Sequence, residues 1–348
     1  MKNSVKLLAG AVAAVTAFGA QAAQIYNKND TTLDITGQVE AVYWSGHNHA
    51  NGDQTISNRA RFGLEGRTKL AGDIYGFGKF EQQWENEEDS SGTNETSRDQ
   101  YVGVDFGQGG VITAGRFLNN EYKIESVTDY YEYNAAYGEQ YGDRNSGKIN
   151  YAISYNGFSA ALEYQSAVNN FSVGRDVDRG YSAVLGYTSP DVVFGPIGVQ
   201  LGAGYLKYQN DTIADGEENY LDKSHSFGVS LSWGNYGSGL YLASFYEQTQ
   251  YEFGNDNANS GYKVKSSETL VAYTFDNGIG LHASYQINDT SSDADDSSVS
   301  SIVRKVPLMV TYDINPNFRV WVDDMIDAGS SDDNSDDNLF TAGARFIF

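Results

Sequence analysis

The sequence predicts an all-β fold: a sixteen-stranded antiparallel transmembrane β-barrel with its third external loop folded into the lumen. Three observations carry this. The chain ends on Asn338-Leu-Phe-Thr-Ala-Gly-Ala-Arg-Phe-Ile-Phe348, where Phe340, Ala342, Ala344, Phe346 and Phe348 share one face of a strand and Thr341, Gly343 and Arg345 share the other. Long polar connections alternate with short turns along the whole chain. The composition, 26 Tyr, 17 Phe and 38 Gly but only 4 Pro, favours strands and tight turns over helices.

The first element is a leader. Lys2 and Lys6 precede an apolar run from Leu7 to Ala20, and Ala20-Gln21-Ala22 closes it, the pattern of a secretory signal peptide over 1–22. The run is shorter than the roughly 20 residues that a spanning helix needs. Cleavage after Ala22 leaves 23–348 as the barrel, and the loss of Lys2 and Lys6 moves the formal charge from −23 to −25. A barrel strand is polar on one face, so a chain with negative mean hydropathy can still cross a bilayer.

In the first strand Leu33, Ile35, Val39, Ala41 and Tyr43 alternate with Asp34, Thr36, Gln38 and Glu40. In the second, Ala60, Phe62 and Leu64 alternate with Arg59, Arg61, Glu65 and Arg67. Short connections then follow at Lys69–Asp73, Phe106–Gly110, Tyr155–Phe158, Thr188–Pro196, Trp233–Gly239, Asp276–Gly278 and Asp313–Asn317. Between them lie long polar ones near 45–58, 85–97, 117–143, 166–179, 209–223, 248–266, 288–301 and 328–337. Seven short and eight long connections make sixteen strands with both termini on the short-turn side. A barrel of that size is too wide for side chains to fill, so charges on the inward face sit in water. Trp44, Trp84, Trp233, Tyr236, Trp321 and Phe348 fall near strand ends, which fits two aromatic girdles at headgroup level.

The third long connection mixes tyrosines with Glu125, Asp129, Glu132, Glu139 and Asp143, and its length marks it as functional. Folded inward, it narrows the channel while its carboxylates stay hydrated. Arg59 and Arg61 project from one strand, Arg98 starts another, and Arg144 stands where the loop rejoins the barrel. Two readings fit these groups. Carboxylates facing guanidinium groups across a gap set up a transverse field that favours small polar solutes. Alternatively they are scattered arginines with rim partners, worth about 0–1 kcal/mol each. The residues alone do not choose between them.

The chain resembles the general diffusion porins of the Gram-negative outer membrane, the trimeric sixteen-stranded family that includes the enterobacterial osmoporins. The likeness rests on Gln24-Ile-Tyr-Asn-Lys28, Leu33 to Gly37, Ala60-Arg-Phe-Gly-Leu-Glu-Gly66, Gly115-Arg116, Thr128-Asp129 and the terminal Phe348. The resemblance implies a homotrimer in outer-membrane lipid and lipopolysaccharide, with small hydrophilic solutes and ions as its cargo. It also implies that Arg61, Arg98 and Arg144 form a basic cluster at the constriction, faced by Asp129 and Glu132 on the loop. Two departures stand out. Tyr131-Glu-Tyr-Asn-Ala135 replaces the family's Pro-Glu-Phe-Gly-Gly turn, and Gln38 replaces a strand-one lysine. The second makes the lumen less basic, which with the acidic mature chain points to a cation preference.

Other chemistry finds little material. Strong acidity argues against nucleic acid as a partner. There is no cysteine, four histidines support no triad, and neither enzyme activity nor a cofactor is expected. Gly142 to Lys148 imitates a phosphate loop, but Ile149 stands where a Ser or Thr would hold magnesium. His47 and His49 lack supporting carboxylates, and the acidic runs 293–296 and 331–337 lack calcium-loop spacing. Two other readings keep the barrel but change its role: a substrate-specific channel, or an adhesin or phage receptor whose loops carry the function.

Overall fold

The computed structural model describes residues 23–45, 55–86, 94–133, 144–172, 175–209, 220–254, 261–292, 300–331 and 339–348. The leader, His47, His49, Glu139, Asp143 and the runs 293–296 and 332–337 lie outside the described residues. The first half of the chain forms β1 (Ala23–Lys28), β2 (Thr31–Trp44), β3 (Thr55–Ala71), β4 (Ile74–Asn86), β5 (Asn94–Asp105) and β6 (Val111–Leu118). A single helical turn, α1 (Tyr122–Glu125), precedes β7 (Arg144–Tyr155), β8 (Phe158–Gln165) and β9 (Val168–Ser172). The second half forms β10 (Arg175–Val192), β11 (Gly195–Tyr208), β12 (Tyr220–Asn235), β13 (Ser238–Gly254) and β14 (Gly261–Thr274). It ends with β15 (Ile279–Ser292), β16 (Ser301–Asn315), β17 (Phe318–Asp327) and β18 (Leu339–Ile347).

Each strand pairs antiparallel with its neighbours, β8 pairs with β10, and β18 closes on β2 from Thr341↔Trp44 to Ile347↔Gln38. That closure makes a barrel of sixteen strands, β2–β8 and β10–β18, whose sheet returns to its own first strand. Strand β1 folds back on the start of β2, and β9 continues β8 beside the start of β10.

The alternation has its expected effect. Leu201, Leu231 and Val271 are about half exposed on the outer face, while Gly202, Ser230 and Leu270 beside them point inward. In Phe340 to Phe348, the outward Phe340 and Phe346 are exposed, and Thr341 on the other face is fully buried. Short turns follow local chemistry. Asn156 and Gly157 both adopt positive φ, 49° and 83°, the backbone twist that lets two strands reverse in two residues.

Three expectations need correction. The predicted loop 166–179 is largely strand, because β9 and β10 pair there. Likewise β13 and β14 run deep into the predicted loop 248–266, with Tyr251 stacked on Tyr262 at 4.5 Å across the pair. Polar composition signals water around these hairpins, not the end of the ladder. The girdle is the third. Trp84 and the stacked Phe194–Trp233 pair face outward, but Trp321 is 3 % exposed and Trp44 bonds inward Ser57. Tyr236 also turns inward, stacking on Tyr130.

Candidate functional site

Residues Asn119–Tyr133, between β6 and β7, run along the inward faces of the strands. Asn119 starts the turn by accepting the Tyr122 N–H on its Oδ1 at 2.8 Å. Ile124 is the only large apolar side chain that α1 buries almost completely, and the wall makes room for it with glycines. A Cβ at Gly202 would lie 3.1 Å from Ile124 and one at Gly228 2.9 Å from it. Ile124, Val127 and Tyr131 pack on inward Val184, Tyr241, Phe245, Leu270 and Met309. The inward face is therefore not wet throughout. Burying Ile124 alone contributes about 1.5–3 kcal/mol.

Hydrogen bonds continue the path. The Gln200 amide on β11 donates to the Lys123 carbonyl at 3.0 Å, and Ser226 on β12 donates to the Glu121 carboxylate. Tyr241 on β13 donates to the Val127 carbonyl at 2.9 Å, and Thr128 donates to Glu268 on β14 at 2.9 Å. Tyr131 donates to the Pro307 carbonyl on β16 at 3.1 Å. Pro307 falls where the β15–β16 ladder is interrupted, between Ala283↔Leu308 and Gln286↔Lys305, so its carbonyl is available to the loop. Finally the Tyr133 hydroxyl donates to Glu40 on β2. Burial, chiefly, pushes that hydroxyl's pKa up, so it stays a donor.

Charged side chains gather in two groups. On one wall Arg98 pairs with Glu81, Arg144 with Asp99 at 2.9 Å, and Lys79 reaches Asp99 at 2.9 Å and Glu81 at 3.6 Å. Arg61 lies beside them, donating to Gln83 at 2.6 Å with neutral Gln38 as its other cross-strand neighbour. The second group lies at the closing seam. Arg59 pairs with Glu40 at 2.5 Å, Arg345 pairs with Glu40 at 2.7 Å and with Glu132, and Arg319 reaches Glu132 at 3.3 Å and Asp313 at 2.5 Å.

The structure thus splits the residues singled out from sequence. Arg61, Arg98 and Arg144 share one wall. Arg59 does not join them as a partner of that wall; its guanidinium sits 4.9 Å from the Tyr133 ring at the loop tip. Glu132 meets Arg319 and Arg345, which sequence reasoning did not select. Asp129 accepts from Tyr122 within the loop. Glu125 is buried on α1, 4 % exposed, so it does not face the lumen water. Arg345 and Glu40 were legible as inward residues from their alternation; that they pair through a loop carboxylate was not. Among the described residues no cluster of three His, Cys, Asp or Glu could hold a metal, and Arg144 to Lys148 begin a strand, unlike a phosphate loop.

Sixteen closed strands, an apolar outside and a charged inside describe a bilayer-spanning channel, and the profile of Gram-negative porins matches residues 28–348. The chain belongs to the Gram-negative porin family. It is an outer-membrane diffusion channel. This porin is 25 % identical to outer membrane porin PhoE of Klebsiella oxytoca over 342 residues, covering 94 % of this chain and 95 % of that one. It is 28 % identical to outer membrane porin C of Serratia marcescens over 373 residues, again covering 94 % and 95 %. The solved structure of Salmonella typhi OmpF in complex with daunomycin superposes with a TM-score of 0.78 at 22 % identity, covering 93 % of this chain and all of that one.

Proposed function

We propose that this porin, as a homotrimer in outer-membrane lipid and lipopolysaccharide, passes small hydrophilic solutes and ions down their gradients with a mild cation preference. The gap lies between Asn119–Tyr133 and the wall of Arg61, Arg98 and Arg144. One observation carries the reading: the segment is bonded in turn to inward groups of β11, β12, β13, β14, β16, β17 and β2, so it occupies part of the lumen's cross-section.

The cation preference follows from charge balance. Near the gap five guanidinium groups have a carboxylate partner, and Arg61 and Lys79 leave the two groups together slightly positive. The chain as a whole carries −23, and a negative surround concentrates cations at a narrow entrance. The family supports the trimer. No reaction is proposed; the charged groups pair with one another in ways that serve structure and field. A substrate-specific channel would need aromatic faces open to solutes, and among the described loop residues Tyr130 and Tyr131 are packed against the wall instead.

Planar-bilayer recording tests this reading. The purified protein should pass ohmic current, with a reversal potential in a salt gradient displaced towards cations. Neutralising Asp129 with Glu132 should weaken the displacement, and neutralising Arg61 with Arg98 should strengthen it. Unchanged potentials in both double variants would remove the assignment of these side chains. Cross-linking the protein in intact outer membranes should yield trimers; monomers alone would contradict the assembly.

A further inference from the structure

Cross-strand register places Asp313, Arg319, Arg345, Glu40, Arg59 and Glu85 in one row across β16, β17, β18, β2, β3 and β4. Charges alternate along this row except at one step, where Arg319 stands directly opposite Arg345. Like charges directly opposite destabilise a strand pair. The defect lies beside the seam where the barrel closes, since Arg345 belongs to the last strand and its neighbour Glu40 to β2. One side chain from outside the row fills it. Glu132, at the loop tip, accepts from Arg319 with one carboxylate oxygen and from Arg345 with the other. All three side chains are nearly buried, at 3 %, 12 % and 7 % exposed for Arg319, Arg345 and Glu132. Aromatic packing closes the site: Tyr133 lies 4.6 Å from Trp44, and the Arg345 guanidinium lies 5.2 Å from the Trp321 ring.

We infer that Arg345, together with Arg319, is a positioning residue for the channel: the pair forms a clamp that takes Glu132 as its counterion and fixes the loop tip against the seam. The clamp sets how far the tip stands from the Arg61–Arg98–Arg144 wall, and hence the size of solute admitted. It deepens the proposed channel reading and rests on it for the flux consequence alone. Glu132 is then less a free charge offered to passing ions than half of a fastening. Arg345 has a second duty, because it also neutralises Glu40, whose side chain is fully buried between Arg59 and Arg345.

The clamp and a simple charge effect predict opposite patterns. Arg345→Met removes a cation and Glu132→Gln an anion, so as mere charges they shift ion selectivity in opposite directions. As halves of one clamp, both release the tip and both admit larger solutes. In proteoliposomes, uptake of the uncharged trisaccharide raffinose should rise in each variant by at least about twofold, because a nearly buried ion pair that loses one partner is strongly destabilised and lets the tip go. The double variant should rise no further than either single one, and Arg345→Lys should restore most of the wild-type size limit. Amide exchange over residues 127–133 reads the clamp without any flux, and should quicken in both single variants. Raffinose uptake that moves in opposite directions, adds in the double variant, or stays unchanged with unchanged exchange would overturn the clamp. Faster exchange in a protein that passes no solute would uphold the clamp and contradict the channel reading.

Discussion

The segment Asn119–Tyr133 of this porin is held at two places by different physics. At its root, Ile124 sinks into a hollow left by Gly202 and Gly228, and apolar side chains from four strands surround it. At its tip, Glu132 is gripped by two arginines and Tyr133 by Glu40 and two tryptophans. Apolar packing fixes shape, and salt barely touches it. An ionic grip fixes direction, and ionic strength weakens it. The root therefore decides whether the loop lies inside, and the tip decides where its end stands.

The largest effect should come from emptying the root. Ile124→Ala removes a side chain that is 1 % exposed, and should weaken docking by about 2–5 kcal/mol. Amide exchange across 119–128 should rise steeply, with larger and noisier single-channel currents. If only the tip responds, the two anchorages are one unit and the comparison fails.

The root also contains a proton-linked group. Burial, above all, lifts the Glu121 carboxyl from its ordinary 4.5 to about 7; neighbouring Glu163 adds to the rise, while Ser226 and Lys148 oppose it. Burial lowers the pKa of Lys123 beside it. A carboxyl whose pKa rises on docking stabilises the docked loop fully below about pH 4.5, and that contribution is lost as pH climbs through about 7. Exchange at α1 should therefore quicken between those limits, by at most about tenfold per pH unit. Glu121→Gln should flatten the profile. A tip that shows the same pH dependence would show the proton to be acting elsewhere.

Smaller effects separate the tip. Tyr133→Phe removes the hydrogen bond to Glu40 and should loosen the tip by about 0.5–1.5 kcal/mol, with the root unchanged. Raising salt from 0.1 to 1 M should speed exchange near Glu132 by no more than about twofold, because its ion pairs are nearly buried and weakly screened, and should leave Ile124's neighbours alone. Equal salt sensitivity at both ends would contradict the division.

Much of this architecture is legible in the sequence. Alternation, as in Phe340 to Phe346 before Ile347 breaks it, declares one oily and one wet face, and turn residues such as Asn156-Gly157 mark where the chain reverses. The strand number follows, because each connection declares its length. The site was harder. Arg61, Arg98 and Arg144 could be assigned to the inward side, yet the partner of Glu132 could not. That partnership depends on Arg319 and Arg345 meeting across β17 and β18 and on a loop returning from about two hundred residues earlier. Register joins such residues, and alternation alone does not state register. The apolar inward patch under the loop was hidden for a related reason. Tyr241, Phe245 and Leu270 share their strands with outward apolar residues, so these stretches read as hydrophobic without saying which face would be covered.

The chain has no cysteine, so one introduced pair tests the loop's place directly. A Cβ built at Gly202 falls 3.1 Å from the Ile124 Cγ1, which puts Ile124→Cys and Gly202→Cys within the separation that a disulfide needs. The double variant, oxidised in the outer membrane and read by mass spectrometry, should form this cross-link in most molecules and still conduct. Two free thiols in a folded, conducting barrel would place the loop elsewhere and contradict the account.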